Sequence, residues 1–327
     1  MFETKESGLR KIATFALIAL LLTATPNSAL AKESANQNTI AFLKSKFVGD
    51  KYIEGFTPGK ADFGFTLEAL LQRKALGEKS EALTKAIRYN LMNTAVVGIS
   101  TAVPGYLFDS TGKLNVGLAG KFAFVSEAMK AKNEKLRSKI VSKLKQSLGA
   151  NGDLSSASAT TFDRAWVILG LYSNGAHSAS TRLSVALQRT QLTDGGFNDG
   201  YTLDASATDG TGIALQALST TRKLGSAAVR GKTLQSINAA VRYLRGTQVD
   251  NDHWNAWGDY NTNGTAYAAM GIIAAGSPSL GIATWLRNKV ASDGGLITPW
   301  SSGAGDTYAT AQSVVPMLNL SYLSLLK

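Results

Sequence analysis

Residues 211–218 read TGIALQAL, and the same arrangement returns about every 50 residues along the chain. A small residue follows the first position, and apolar residues stand four and seven positions after it. Spacings of three and four put side chains on one stripe of a helix, and the small residue lets a neighbouring helix approach closely. The first positions, here called anchors, are Phe63, Leu118, Arg164, Thr211, Thr265 and Thr310. About six copies of one helix are therefore predicted.

A second helix and a glycine-rich turn are predicted between consecutive anchors. Second helices are expected within 136–148, 182–191, 233–248 and 282–290, and Pro316 should kink or end the last anchor helix. Glycine supplies the positive φ that such turns need, and the apolar residue after it is predicted to return to the core. The turns are Pro104-Gly105-Tyr106, Asn151-Gly152-Asp153-Leu154, Asp194-Gly195-Gly196-Phe197 and Asp293-Gly294-Gly295-Leu296.

Six helix pairs of similar length can close into a ring, with inner helices around an axis and outer helices surrounding them. No stretch shows strand-type alternation long enough to predict a sheet. The expected fold class is all-α, an (α/α)6 toroid, and an open solenoid of the same pairs is the alternative.

The first 31 residues have the pattern of a signal peptide. Arg10 and Lys11 precede an apolar run from Ile12 to Leu22, and Ala29-Leu30-Ala31 forms an A-x-A cleavage site. We therefore expect a secreted protein cleaved after Ala31, with residues 32–327 forming one toroid domain and no transmembrane segment. The chain has no cysteine, which excludes disulfides and thiolate chemistry. A monomer is expected.

The chain carries a net charge of +11, which is typical of proteins with acidic partners such as nucleic acids, anionic cell walls or anionic membranes. The densest basic stretch is 130–145, where Leu136, Ile140 and Leu144 are spaced four residues apart. This spacing predicts an outer helix with its lysines in water. No nucleic-acid-reading motif is present, so a nucleic-acid partner is not predicted.

The stretch Gln191-Leu192-Thr193-Asp194-Gly195-Gly196-Phe197 resembles the repeat motif of squalene cyclases and protein prenyltransferase β subunits. Residues 248–254 resemble a second copy, with Asp252 where a glycine is usual. The resemblance implies an (α/α)6 toroid. The chain also resembles secreted actinobacterial proteins that carry prenyltransferase/squalene-oxidase repeats, and the helical barrel of cobalamin carriers.

The resemblance also implies where a catalytic zinc would lie. Prenyltransferases hold zinc with an Asp-Gly-Cys segment and an Asp-x-Tyr-His segment at the starts of two inner helices. The matching stretches here are 209–211 and 306–309, in which Thr211 stands for the cysteine and Ala309 for the histidine. His177 and His253 do not have ligand spacing. One remaining carboxylate does not build a zinc site, so no metal and no cofactor are predicted.

Squalene-type cyclases protonate an alkene with an Asp-x-Asp-Asp-Thr segment at the same helix start. Asp209 matches the protonating aspartate, whereas Ala207 and Gly210 replace its acidic neighbours. Such neighbours tune a catalytic carboxyl, so the inherited cyclase site is predicted to be degraded. A second stretch, 250–252, has matching residues but is interpreted as a turn. Asp209 is the best candidate for a catalytic residue.

Parallel inner helices would gather their N-termini at one end of the ring, where free N–H groups collect. Polar and aromatic residues near the anchors are therefore candidates for ligand binding. The Asp, Asn and Thr residues among them could instead be helix N-caps, and Trp166 could pack in the core. The candidates are Asp62, Asp163, Trp166, Asp209, Thr211, Asn263, Thr265, Tyr267, Trp300, Asp306 and Tyr308, with Trp254 and Trp257 adding aromatic surface.

Three functions are compatible with these residues; the sequence favours the first, and the other two are alternatives. The first is non-catalytic binding of a small molecule, lipid or glycan in the cup at the inner-helix N-termini. The second is attachment of the basic surface to an anionic cell-envelope polymer. The third is an enzyme, either a terpenoid cyclase or transferase, or a glycan hydrolase or lyase with two carboxylates about 5 to 9.5 Å apart. Carboxylates for such a pair are Asp62, Asp163, Asp209, Asp259 and Asp306.

Overall fold

The computed structural model describes residues 26–89, 107, 113–277 and 279–327. Helices alternate between an outer and an inner position. The outer–inner pairs are α1 (Pro26–Ser45) and α2 (Phe63–Ala75), α3 (Glu81–Ile87) and α4 (Val116–Ala128), α5 (Glu134–Gln146) and α6 (Thr161–Ser173), α7 (His177–Gln188) and α8 (Thr208–Thr221), α9 (Ala227–Gly246) and α10 (Thr262–Ala275), and α11 (Leu280–Asn288) and α12 (Thr307–Met317).

Two short antiparallel hairpins and one 3-10 helix complete the described secondary structure. The hairpins pair β1 (Phe47–Val48) with β2 (Tyr52–Ile53) and β3 (Asn255–Ala256) with β4 (Asp259–Tyr260). The 3-10 helix is Tyr322–Leu326. The hairpins lie in loops that precede inner helices, so they add to the loop surface without forming a larger sheet.

Contacts between the inner helices run all the way round the ring. Each inner helix packs on the next, and α12 packs on α2. The last glycine turn also packs on the first outer helix, because a Cβ at Gly294 would lie 2.4 Å from the carbonyl oxygen of Asn38 in α1. The predicted (α/α)6 toroid is confirmed, and the open solenoid is excluded.

Glycines bring two pairs of inner helices into backbone contact. A Cβ at Gly170 in α6 would lie 2.4 Å from the carbonyl oxygen of Gly120 in α4, and a Cβ at Gly271 in α10 would lie 2.6 Å from that of Gly212 in α8. Real Cβ atoms do not approach that closely, so only glycine fits. These contacts draw the inner helices together around a narrow axis.

The anchor threonines hold the glycine-rich turns to the inner helices. The Thr211 hydroxyl accepts a hydrogen bond from the Phe197 N–H at 2.8 Å, and Thr310 accepts one from the Leu296 N–H at 2.8 Å. Phe197 and Leu296 are fully buried. The prediction that the apolar residue after the turn returns to the core is confirmed, and the anchor supplies the partner that its buried N–H requires.

Two predicted anchors are displaced in the first two copies. The position that Thr211 occupies in α8 is filled in α2 by Thr66, whose hydroxyl accepts from the Ile53 N–H at 2.9 Å. Phe63 lies three residues earlier. In α4 the same position is Ala119 rather than Leu118, counted from the N-cap of each helix. The predicted anchors are displaced because capping residues determine where each helix begins. The spacing of apolar residues does not reveal those positions.

Arg164 occupies the anchor position of α6 and holds its turn by a different contact. Its Nε and Nη2 donate to the two carboxylate oxygens of Asp153 at 2.8 and 2.9 Å. The Leu154 N–H donates to the same carboxylate at 2.8 Å. Burial opposes ionisation of Asp153, but these hydrogen bonds outweigh it and lower its pKa. A charged pair thus replaces the threonine hydroxyl.

The basic stretch forms a solvated outer helix, as predicted. Ile140 and Leu144 of α5 are fully buried, whereas Lys135, Lys139 and Lys145 are exposed. The other predicted second helices correspond to α7, α9 and α11 with shifted ends. Helix α12 ends one residue after Pro316.

Some predictions fall outside the described residues. These are residues 1–25 of the signal peptide and the turn at 104–106. Helix α1 begins at Pro26 and continues through the predicted cleavage site after Ala31. Within the part of the chain that the structure describes, no helix combines the length and the apolar character needed to span a membrane.

Candidate functional site

All six inner helices begin at the same end of the ring, which we call the mouth. Their N-cap residues are Asp62, Asn115, Thr160, Ala207, Asn261 and Asp306. Asp62 and Asp306 are side-chain caps, with Oδ1 accepting from the N–H three residues later at 3.0 and 2.7 Å. Asp163 completes a capping box with Thr160. The capping alternative is therefore correct for these three aspartates, each of which still borders the mouth.

Six residues after each N-cap, a ring of side chains forms a floor across the axis. The Tyr267 hydroxyl of α10 donates to Glu68 Oε2 of α2 at 2.6 Å. Helix α12 separates these two helices in the ring, so this hydrogen bond joins two inner helices that are not neighbours and lies inside the ring. The Lys121 ammonium forms an ion pair with Glu68 Oε1 and lies 4.8 Å from the Trp166 ring centroid. The floor positions are Glu68, Lys121, Trp166, Ile213, Tyr267 and Gln312.

The 3-10 helix closes the axis from the opposite end. The Tyr322 hydroxyl donates to Glu68 Oε2 at 3.0 Å, and its ring lies 5.4 Å from that of Trp166. Burial, reinforced by the charge of Glu68, raises the pKa of Tyr267 and Tyr322 well above the ordinary value. Both tyrosines therefore remain protonated donors. We call Glu68, Lys121, Trp166, Tyr267 and Tyr322 the axial cluster; it fills the axis below the mouth.

Two residues after each N-cap, another set of side chains forms the wall above this floor: Gly64, Gly117, Phe162, Asp209, Asn263 and Tyr308. The two glycines leave room for a cavity of about 390 Å³ bordered by Asp62, Lys121, Asp163 and Trp166. On another side, Asn263 Nδ2 donates to the floor residue Gln312 at 2.6 Å. The mouth is a shallow polar cup rather than an open bore.

Asp209 differs from the capping aspartates. The N-cap of α8 is Ala207, and the Asp209 carboxylate accepts from the Gly210 N–H at 2.7 Å. Burial raises the pKa of Asp209 and the negative charge of Asp199 raises it further, although the Gly210 N–H acts in the opposite direction. Capping therefore does not account for Asp209. A carboxyl that is buried beside another carboxylate is a candidate proton donor.

Asp199 and Asp209 share a second cavity of about 330 Å³, which we call the rim cavity, with Tyr243 and Trp257. A Cβ at Gly210 would lie 2.2 Å from the Asn198 carbonyl oxygen, so the Asn198–Asp199 loop presses directly on the start of α8. Burial raises the pKa of Tyr243, and the charges of Asp194 and Asp209 raise it further. Two carboxylates, a phenol and an indole thus converge at one edge of the mouth.

Several predicted ligand contacts are structural instead. Thr211 and Thr265 have no exposed surface and hold turns, so a ligand cannot reach them in this state. Trp254 is buried and its indole N–H donates to the Leu244 carbonyl oxygen at 2.9 Å. Tyr267 and Trp166 are buried in the axial cluster, although Trp166 also borders the mouth cavity. The spacing of residues along a helix does not determine which side chains are buried, so the sequence could not separate these residues from the accessible ones.

Metal-binding residues do not cluster in the described part of the chain: no group of three or more His, Cys, Asp or Glu side chains is placed to hold an ion. Ala309, at the position that matches the zinc-ligating histidine of the prenyltransferases, is buried, and its N–H donates to the Asp306 cap. The 250–252 stretch is a turn, as predicted, with φ of 48° at Asp250 and 61° at Asn251.

Three residues of the mouth were not predicted from the sequence: Glu68, Lys121 and Asp199. Glu68 and Lys121 carry a signal, because each is the one charged residue among the first nine residues of its inner helix. An isolated charge on a buried stripe requires a buried partner. Asp199 carries no such signal, since it stands among polar loop residues.

Sequence comparison matches the chain to no protein-family model and to no curated protein. Structure comparison finds similar chains at low identity. An unsaturated glucuronyl hydrolase from Bacillus sp. GL1, responsible for the degradation of glycosaminoglycan, has a TM-score of 0.59 at 12% identity; the match covers 88% of this chain and 96% of that one. The fold alone follows from such a likeness.

Two further solved structures represent other proteins with this fold. The type II terpene cyclase MstE from Scytonema has a TM-score of 0.61 at 13% identity, covering 88% of this chain and 98% of that chain. Haptocorrin in complex with Cbi has a TM-score of 0.57 at 12% identity, covering 90% of this chain and 68% of that chain. The predicted α/α toroid fold is confirmed by these likenesses.

Proposed function

We propose that the protein is a glycan-active enzyme that binds a saccharide at the mouth and cleaves a glycosidic bond, with Asp209 as general acid. The observation that carries the proposal is the placement of Asp209 and Asp199 in one cavity, where burial and the neighbouring charge raise the pKa of Asp209. Glycoside hydrolases need one protonated and one ionised carboxyl beside the scissile bond.

A saccharide fits the mouth better than a terpenoid. Terpenoid cyclisation needs a deep, dry, apolar cavity, but here the axial cluster occupies the axis with an ion pair and two phenols. The cup above it presents hydrogen-bonding groups that suit a ligand rich in hydroxyls, including Asp62, Asp163 and Asn263. Two proteins with this fold are named as unsaturated glucuronyl hydrolases, so the fold is compatible with a saccharide substrate.

In the proposed reaction, the protonated Asp209 carboxyl gives its proton to the glycosidic oxygen as the bond from that oxygen to the anomeric carbon breaks. Water adds to the anomeric carbon and loses a proton to an ionised carboxylate, for which Asp199 is the candidate because it borders the same cavity. Each sugar fragment leaves with a free hydroxyl. Trp257, at the edge of the cavity, offers a flat face against which a sugar ring can stack.

Asp209→Asn is expected to lower kcat/KM for the best oligosaccharide substrate by about 100- to 10,000-fold, the usual contribution of a general acid. The wild-type rate should fall as pH rises through the raised pKa of Asp209, because only the protonated carboxyl donates. Reducing-end release from neutral, acidic and amino oligosaccharides, measured across pH, provides the check. Asp250→Asn removes the same charge from an exposed turn and should leave the rate unchanged.

Folding of the variant is measured in parallel. When a carboxyl has a higher pKa in the folded state, the free energy of unfolding of the protein falls as pH rises through that pKa. Asparagine carries no charge at any pH, so Asp209→Asn should keep or raise Tm at neutral pH. Saccharide binding without any turnover would contradict catalysis and favour the non-catalytic binder. Turnover that Asp209→Asn leaves intact would refute the assignment of the general acid.

Secretion is part of the proposal and is supported by the basic, apolar and A-x-A segments of residues 1–31. Attachment to an anionic cell envelope through exposed lysines of α5 remains a second proposal, supported by the charge of that helix. Such attachment would weaken steeply as salt is added.

A further inference from the structure

Exposed apolar side chains concentrate at the mouth. Among the described residues, six of the seven large hydrophobic residues with high exposure lie between an outer helix and the inner helix that follows it. They are Val48, Phe56, Tyr201, Leu203, Trp257 and Trp300. The seventh, Leu234, lies in outer helix α9. Scattered exposed apolar residues are ordinary, whereas a set gathered at one end of a molecule marks a contact surface.

The backbone is strained at Trp257 in a way that displays its side chain. Trp257 and Gly258 form the two-residue turn between β3 and β4, with φ of 53° and 86°. Such turns favour Asn-Gly, because a bulky residue at positive φ is unfavourable. The indole nevertheless stands 85% exposed. Folding alone gains nothing from this arrangement, which points to a role in binding.

Two pairs of rings extend this aromatic surface across the mouth. Trp257 lies 6.1 Å from Trp300 in an edge-to-face pair. On the other side of the α12 start, Phe56 stacks on Tyr308 at 4.7 Å. Tyr308 is a wall residue of the cup, and Trp257 borders the rim cavity beside Asp209. Aromatic rings therefore border both the cup and the rim cavity of the proposed site.

The described segments around the mouth carry more acidic than basic residues, although the whole chain is basic. In the segments 54–64, 113–119, 155–164, 198–212, 255–265 and 298–309, the acidic residues are Glu54, Asp62, Asp163, Asp199, Asp204, Asp209, Asp259 and Asp306. The basic residues of the same segments are Lys60, Lys113 and Arg164, and Arg164 is paired with Asp153. Below these segments, Lys121 on the floor of the cup is paired with Glu68.

Helix N-termini offset only part of this negative charge. Asp62 and Asp306 cap helices and lie against positive helix ends. Glu54 and Asp204 stand in loops, away from helix starts, whereas the charge of Asp259 is partly offset by Lys289. A uronate-bearing chain would be repelled at this end of the molecule, and a chain with ammonium groups would be attracted both to the carboxylates and to the exposed ring faces.

We infer that the mouth takes a glycan strand carrying free amino groups, which the exposed rings of Trp257, Trp300 and Phe56 hold across the acidic rim. The inference rests on the proposed saccharide site and names its substrate class. It separates this chain from the hydrolases of the same fold that are named for glucuronyl substrates. The strand would lie over the rim with one sugar unit in the rim cavity.

The test measures the affinity of the full-length protein for three hexasaccharides by titration calorimetry at low salt. The probes are a β-1,4-glucosamine hexamer, its fully N-acetylated form and a galacturonate hexamer. The glucosamine hexamer is expected to bind at least tenfold more tightly than the acetylated form, and the galacturonate hexamer more weakly than either. Trp257→Asn should weaken binding of the glucosamine hexamer about tenfold. Asparagine tolerates positive φ, so the hairpin should keep its fold.

Leu234→Ala, an exposed substitution in outer helix α9, is the matched control and should leave affinity unchanged. Equal or tighter binding of the galacturonate or acetylated hexamer would overturn the inference, as would full affinity in Trp257→Asn. If cleavage depends on Asp209 but the galacturonate hexamer binds more tightly than the glucosamine hexamer, this inference fails and the proposed catalysis stands. If the glucosamine hexamer binds most tightly but no cleavage depends on Asp209, the proposed catalysis fails and this inference stands.

Discussion

Replacing Lys121 with methionine is expected to lower the free energy of unfolding by about 3 to 5 kcal/mol. The substitution keeps most of the side-chain volume but leaves the Glu68 carboxylate without its cation. Glu68 is only 2% exposed, and the two tyrosine hydroxyls that donate to it cannot replace a full positive charge. The cost is that of a buried, uncompensated charge. Urea denaturation of the purified protein measures it.

The double variant Glu68→Gln with Lys121→Met should recover most of that loss, because a neutral amide still accepts hydrogen bonds from the tyrosines. Lys85→Met removes a cation from an exposed pair with Glu81 and should cost well under 1 kcal/mol. A loss below 1 kcal/mol for Lys121→Met would mean that water reaches Glu68. The axial cluster would then not fill the axis below the mouth.

Gly170→Ala is expected to destabilise the protein by about 3 kcal/mol. The added methyl group would lie 2.4 Å from the carbonyl oxygen of Gly120, so helices α4 and α6 would have to move apart. Each is also fixed to its other neighbours in a closed ring, which leaves little room for that movement. A shift of the urea midpoint and of Tm measures the effect.

Gly231→Ala makes the same chemical change in outer helix α9, where no atom lies within 4 Å of the new Cβ. It should stabilise the protein by about 0.4 to 1 kcal/mol, because alanine restricts the unfolded chain. The two substitutions are therefore expected to have opposite signs. Stabilisation by Gly170→Ala would show that these inner helices are not in backbone contact.

The toroid could be predicted from the sequence because its determinants are local and repeated. Thr211, Thr265 and Thr310 each stand four residues after an N-cap and hold a turn in the same way, so one pattern describes all three. Phe63 and Leu118 do not occupy the anchor position, because the N-caps Asp62 and Asn115 set the helix starts and the spacing of apolar residues does not reveal them. The error shifts the register without changing the number of helices.

The state of the axis could not be predicted, because it depends on contacts between residues far apart in sequence. Glu68 meets Tyr267 and Tyr322 across 199 and 254 residues. Helical spacing indicates that these side chains face inward, but not which of them meet or whether they leave a cavity. The raised pKa of Asp209 also depends on the folded structure, because burial and the charge of Asp199 in the preceding loop cause it.

The central claim is that ligand binds at the mouth, above a filled axis. Hydrogen–deuterium exchange of the full-length protein, with and without the tightest-binding hexasaccharide, tests it most directly. Slower exchange is predicted in the loops 54–61, 198–207, 255–261 and 298–306, with no change in the 3-10 helix Tyr322–Leu326 or in outer helix α5. Protection of the 3-10 helix or of α5, with the four loops unchanged, would contradict the claim.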